Sequence, residues 1–133
     1  MRKPSWNSVR VRYVDRPAVL SALAEIAWRL GHAHPEVVEV RLFGSMARGE
    51  RNVYADADLL IVLETSDLPL KDRSPVYRPS ESPVPLDLTV CTRAEMEREL
   101  AAGNRFVQRI VAESRVLFAR NDETAATPGV TAE

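Results

Sequence analysis

Apolar positions along the chain alternate between two periods, and the switches mark its elements. Val19, Leu20, Leu23, Ile26, Ala27 and Leu30 recur at helical spacing behind Asp15-Arg16-Pro17, an N-cap acid followed by an early proline. This predicts one amphipathic helix ending near Gly31, with Trp28 on its face or edge. Val9 to Tyr13, ahead of it, alternates like a short edge strand. Val37 to Phe43 reads as the first central strand, Ser45 to Gly49 as the opening of a short helix, and Leu59 to Leu63 as a second strand. Leu86, Leu88 and Val90 alternate with Asp87, Thr89 and Cys91, a third strand with one core face and one polar face. Thr92 and Glu95 have the spacing of a capping box, opening a helix through Met96 and Leu100 to a break at Gly103-Asn104. Phe106, Val107, Ile110 and Val111 form another apolar helical face, and Arg115 to Phe118 a short final strand.

Helices and strands interleaved in this way predict an α/β (α+β) fold, a small mixed β-sheet packed with helices. The stretch from Asn121 has no apolar periodicity and is expected to be a disordered tail, so the expected organisation is one domain over residues 1–120 and a tail over 121–133. Thr65 to Pro85 carries five of the nine prolines and is long for a connection. Its Lys71, Arg73 and Arg78 would meet phosphates if the segment folded over a site as a lid.

Chemistry enters at Gly44-Ser45, followed after ten residues by Asp56-Ala57-Asp58. On an extended strand two carboxylates two residues apart leave the same face, with Cα atoms about 7 Å apart. Both then reach one cation site, and Asp87, on the polar side of its own strand, is the third acid. Oxygen donors of this kind hold hard cations, and two such ions about 3.5–4 Å apart serve in-line phosphoryl and nucleotidyl transfer. Gly44 allows close backbone approach to a phosphate, the Ser45 hydroxyl donates to one, and Arg48 or Arg51 offers a guanidinium whose fork matches phosphate oxygens. A Gly-Ser pair alone mostly makes turns; its force comes from the spacing to Asp56. By composition, that spacing arises by chance on the order of once in a thousand chains of this length.

Composition narrows the context. A chain of 133 residues suits one core and leaves no room for a separate substrate domain. A formal net charge of −1 disfavours a general binder of long nucleic acids. The lone Cys91 forms no internal disulfide, the start MRKPSW lacks the apolar region of a signal peptide, and no run reaches a membrane span; a cytoplasmic location is expected. Cys91 reads as a small buried apolar residue, and His32 and His34 as helix-end surface residues far from the acids.

Val40-Arg41-Leu42-Phe43-Gly44-Ser45, Ala47-Arg48-Gly49, Asp56-Ala57-Asp58-Leu59 and Leu86-Asp87-Leu88 together resemble the signature of the nucleotidyltransferase superfamily that contains DNA polymerase beta, and within it the minimal, antitoxin-type nucleotidyltransferases. The resemblance spans about Val37 to Phe118. It departs at Ala55, where a Ser commonly precedes the first Asp, and at Met46, where a larger polar residue is frequent; neither is a metal ligand. The resemblance implies catalytic and metal-holding roles for Asp56, Asp58 and Asp87, nucleotide binding by Gly44, Ser45 and Arg48, Mg²⁺ or Mn²⁺ as cofactor, and ATP as nucleotide substrate. It implies transfer of AMP to an acceptor hydroxyl, with a small helical partner protein encoded nearby as the leading acceptor. A non-catalytic antitoxin or regulatory module of the same fold is the alternative, disfavoured because like charges kept together without use are costly. A small-molecule resistance transferase usually needs a further domain.

Overall fold

A computed structural model of the chain describes residues 16–49 and 56–120. The expected strand at Val9 to Tyr13, the Asp15 cap, Arg51 and the tail from Asn121 lie outside these residues. The described elements are α1 (Arg16–Ala33), β1 (Val37–Phe43), α2 (Gly44–Arg48), β2 (Ala57–Leu63), a 3₁₀ turn (Leu70–Asp72), α3 (Ser74–Tyr77), β3 (Leu86–Thr92), α4 (Arg93–Ala101), α5 (Arg105–Glu113) and β4 (Arg115–Ala119). The result is a mixed four-stranded sheet ordered β3-β2-β1-β4, with helices on its faces. β1 is antiparallel to both β2 and β4, while β2 and β3 run parallel.

The sheet is covered on both sides, which explains why β2 reads as an unbroken apolar run. Against α1, Leu23 and Ala27 pack with Val40, Leu42, Leu59, Ile61, Leu63, Leu88, Val90 and Phe118. On the opposite face Val38, Leu60, Val62 and Ile110 make a smaller cluster with Phe43, Cys91 and Met96. α1 runs past the expected stop at Gly31 to Ala33. Gly31 is buried where any Cβ would collide with the Phe118 ring, so its small size serves a helix–strand approach and not a cap.

The expected capping box is present. Thr92 Oγ1 accepts from the Glu95 backbone N–H at 3.1 Å, and the Glu95 carboxylate accepts from the Thr92 N–H at 2.9 Å. α5 is fixed at both ends. The Asn104 side chain caps the Val107 N–H at 3.1 Å, and Ser114 Oγ, just past the helix, accepts from Arg41 of β1 at 2.8 Å. Among the described residues no helix is long and apolar enough to cross a membrane.

Candidate active site

Three chain segments converge where β1 ends and β2 and β3 begin. β1 delivers the chain into Gly44, whose φ of 80° lies in the left-handed region and turns it straight into α2. A Cβ at Gly44 would collide with Oδ2 of Asp58. The Gly44 turn and the Asp58 carboxylate are therefore one fitted unit, and glycine is required there both by conformation and by space. Arg16 steadies the other side of the turn by donating Nη2 to the Met46 carbonyl at 2.9 Å.

Asp87 is the register partner of Asp58 across the parallel β2–β3 pair, which puts their backbones about 4.8 Å apart. Both acids, with Gly44, Ser45, Arg48 and Thr89, line a cavity of about 390 Å³ that α5 closes with Phe106, Arg109, Ile110 and Glu113. Burial pushes the Asp58 carboxyl above the usual aspartate range, and the neighbouring Asp87 and Asp56 charges push it further; Arg48 pulls the other way. Arg48 Nη1 lies 3.4 Å from a Glu113 carboxylate oxygen, an ion pair that spans the cavity between α2 and α5.

The expected residues are thus brought together unequally. Gly44, Ser45, Arg48, Asp58 and Asp87 share the cavity. Asp56 is exposed, one residue ahead of β2, and it acts on Asp58 through its charge. Among the described residues, no three acidic, histidine or cysteine side chains stand close enough to hold a cation as they are. The donors present are nonetheless of the right kind for a hard divalent ion. They are carboxylate oxygens, one of them partly desolvated and repelled by its neighbours, and a cation would relieve that repulsion.

Residues 65–85 supply none of the residues that line the cavity, and their cations are engaged elsewhere. Arg73 is buried, with Nη1 and Nη2 donating to the two carboxylate oxygens of Glu95 at 2.7 and 3.0 Å, and Nη1 also reaching the Val90 carbonyl at 3.4 Å. Arg78 donates to the Leu86 carbonyl at 3.1 Å, and Lys71 is exposed beside Asp72. Two of the three cations therefore cover backbone carbonyls of the edge strand β3, where unpaired groups would otherwise invite another chain.

Residues 23–118 match the family model described as a nucleotidyltransferase domain. The chain belongs to the nucleotidyltransferase domain family. A search of the curated proteins returned no match. Among solved structures, the chain is similar to an inferred nucleotidyltransferase from Sulfolobus solfataricus, with a TM-score of 0.57 and 22% identity over 80% of this chain and 85% of that one. At that identity the likeness is one of fold, and it places the mixed sheet and its helices among nucleotidyltransferase folds.

The α5 wall adds to the residues that the sequence predicts for this site. Phe106, Arg109, Ile110 and Glu113 stand at i, i+3, i+4 and i+7, so a single helical face carries both the apolar anchor and the two charges. That spacing was the available signal. The histidines lie elsewhere: His32 stacks on Trp28 with ring centroids 3.7 Å apart, and His34 sits 3.7 Å from Glu36. Cys91 is half-buried, and burial lifts its thiol to about 11, which leaves it protonated and unreactive.

Proposed function

We propose that the protein is a divalent-metal-dependent nucleotidyltransferase that transfers AMP from ATP to an acceptor hydroxyl, with a small partner protein as acceptor and the cytoplasm as its setting. The observation that carries the proposal is the fitted unit of Gly44 and Asp58 beside Asp87. A carboxylate desolvated beside like charges is costly to keep, and such carboxylates gather at working sites; the left-handed glycine makes room for this one.

Asp58 and Asp87, with Asp56 joining from the mouth of β2, would hold Mg²⁺ or Mn²⁺. The ion would supply charge neutralisation for the phosphates and for the acceptor oxygen. Gly44 lets the phosphate chain approach the backbone, and Ser45 and Arg48 donate hydrogen bonds to its oxygens. The acceptor oxygen attacks the α-phosphorus, the bond from that phosphorus to the bridging oxygen breaks, and pyrophosphate leaves. Asp87, the more exposed of the two cavity acids, takes the acceptor's proton. Among the apolar residues from Phe106 to Phe118, the exposed Phe106 and Val116 suit a protein acceptor better than a long polyanion.

The test is incubation with ATP labelled at the α- or the γ-phosphorus, together with the product of the adjacent gene and Mg²⁺ or Mn²⁺. Label is expected to enter the acceptor from the α position only, with a matching AMP mass addition that vanishes in Asp58→Ala. The absence of α-label transfer to any protein, RNA or small molecule overturns the reading. A second reading, a binding module that neutralises its partner by contact, is favoured by the exposed Asp56 and by the lack of three assembled ligands among the described residues. A stable complex without added mass would support it.

A further inference from the structure

The way the nucleotide is held, granted the nucleotidyl-transfer reading above, depends on the cavity's charge balance. Asp58, Asp87, Glu113, Arg48 and Arg109 line the same space. A phosphate chain entering it meets three carboxylates, and one of the two guanidiniums is already drawn to Glu113 at 3.4 Å. Arg109 differs. Among the described residues it makes no ion pair and no side-chain hydrogen bond, so its charge is uncommitted although it borders the acids.

Its backbone position is well defined all the same. Ile110, the next residue, is buried under the sheet, and α5 is pinned by Asn104 at one end and through Ser114 to Arg41 at the other. A cation borne on a fixed element has a defined starting point from which its side chain can reach a ligand in the cavity. The α-phosphorus must lie against Asp58 and Asp87 to react. Phosphate charge beyond what an ion at those carboxylates, Ser45 and Arg48 would offset is left to be met from the α5 wall, where Arg109 lies.

We infer that Arg109 binds the β- and γ-phosphates of the nucleoside triphosphate from the α5 wall, and so makes the site select triphosphate over monophosphate. Its planar fork suits two phosphate oxygens at once.

Isothermal titration with Mg²⁺ plus ATP, AMP or inorganic tripolyphosphate tests this on the full chain. Arg109→Gln is expected to weaken ATP and tripolyphosphate about tenfold or more, the loss typical of a charge-assisted hydrogen bond, while AMP changes less than about twofold. Arg109→Lys should recover part of the loss, because it restores charge without the fork. Both variants should melt with the wild type, since Arg109 is exposed. Unchanged ATP affinity in Arg109→Gln, or equal weakening of ATP and AMP, overturns the assignment while leaving nucleotidyl transfer standing. A wild type that binds no ATP removes both.

Discussion

Asp58 and Glu95 lie at opposite ends of the β2–β3 pair, and the fold treats their carboxylates in opposite ways. Glu95 accepts both guanidinium nitrogens of Arg73 and the Thr92 N–H, and those bonds, Arg73 first, hold its carboxyl down at about 2. Asp58 has a glycine where a partner would be, is partly desolvated, and stands beside two like charges that lift its carboxyl. One acid is satisfied within the chain; the other is where, on the proposed reading, an ion would bind.

The sharpest break between the two ends should come in turnover. Asp87→Asn is expected to lower transfer by about 10²–10⁴-fold, the range for removing a general base, while largely preserving nucleotide binding. Asp58→Asn should damage both, and should raise the melting temperature of the metal-free protein by removing a repelled charge. Titration calorimetry beside single-turnover kinetics separates the two variants, and a rate within a few-fold of wild type for Asp87→Asn refutes its role.

At the other end, Glu95→Ala should cost stability and spare nucleotide affinity. About 3 kcal/mol is expected in urea denaturation, the low end for stranding a buried charge, because the Glu95 side chain keeps 32% of its exposure.

The pH dependence should run in opposite directions. The Glu95 carboxyl is lowered in the fold, so its contribution is complete above its ordinary value of 4.5 and fades as pH falls toward about 2. The Asp58 carboxyl is raised in the fold, so the folded state holds its proton more tightly than the unfolded chain does. Its penalty is complete above the raised value and is relieved as pH falls through it. Urea midpoints across the acid range should therefore lose the low-pH decline in Glu95→Ala and lose the relief in Asp58→Asn. The smallest effect is expected from Thr92→Ala, about 1 kcal/mol for the lost cap, with binding unchanged.

Local rules made much of this legible. The span of β1, the alternation of β3 and the Thr92–Glu95 box follow from neighbours in sequence, and each was readable for that reason. The Gly44, Asp58 and Asp87 cluster was readable because its spacing is the chemistry's own. What escaped depends on contacts between distant segments. Gly31 resembles a helix stop until Phe118 arrives against it, and Arg73 resembles a free loop cation until it meets Glu95 and Val90. Arg109 and Glu113 are two polar positions among several on their helix, and nothing local says which of them a cavity will claim.

The notch at Gly31 has a consequence for the order in which the molecule is built. Phe118 fills the gap left beside that glycine and belongs to the main core, and β4 supplies one of the two partners of β1. Arg120, one residue beyond β4, donates to the Val37 carbonyl 83 positions earlier and to that of Gly31. During synthesis α1 and β1 therefore leave the ribosome long before the segment that finishes their surroundings. Loop-closure entropy for so distant a pairing rises only slowly with length, but it must be met before any contact repays it. Until residues 115–120 emerge, β1 carries an open edge, and a ribosome stalled short of that point would hold a chain with its principal core unsealed.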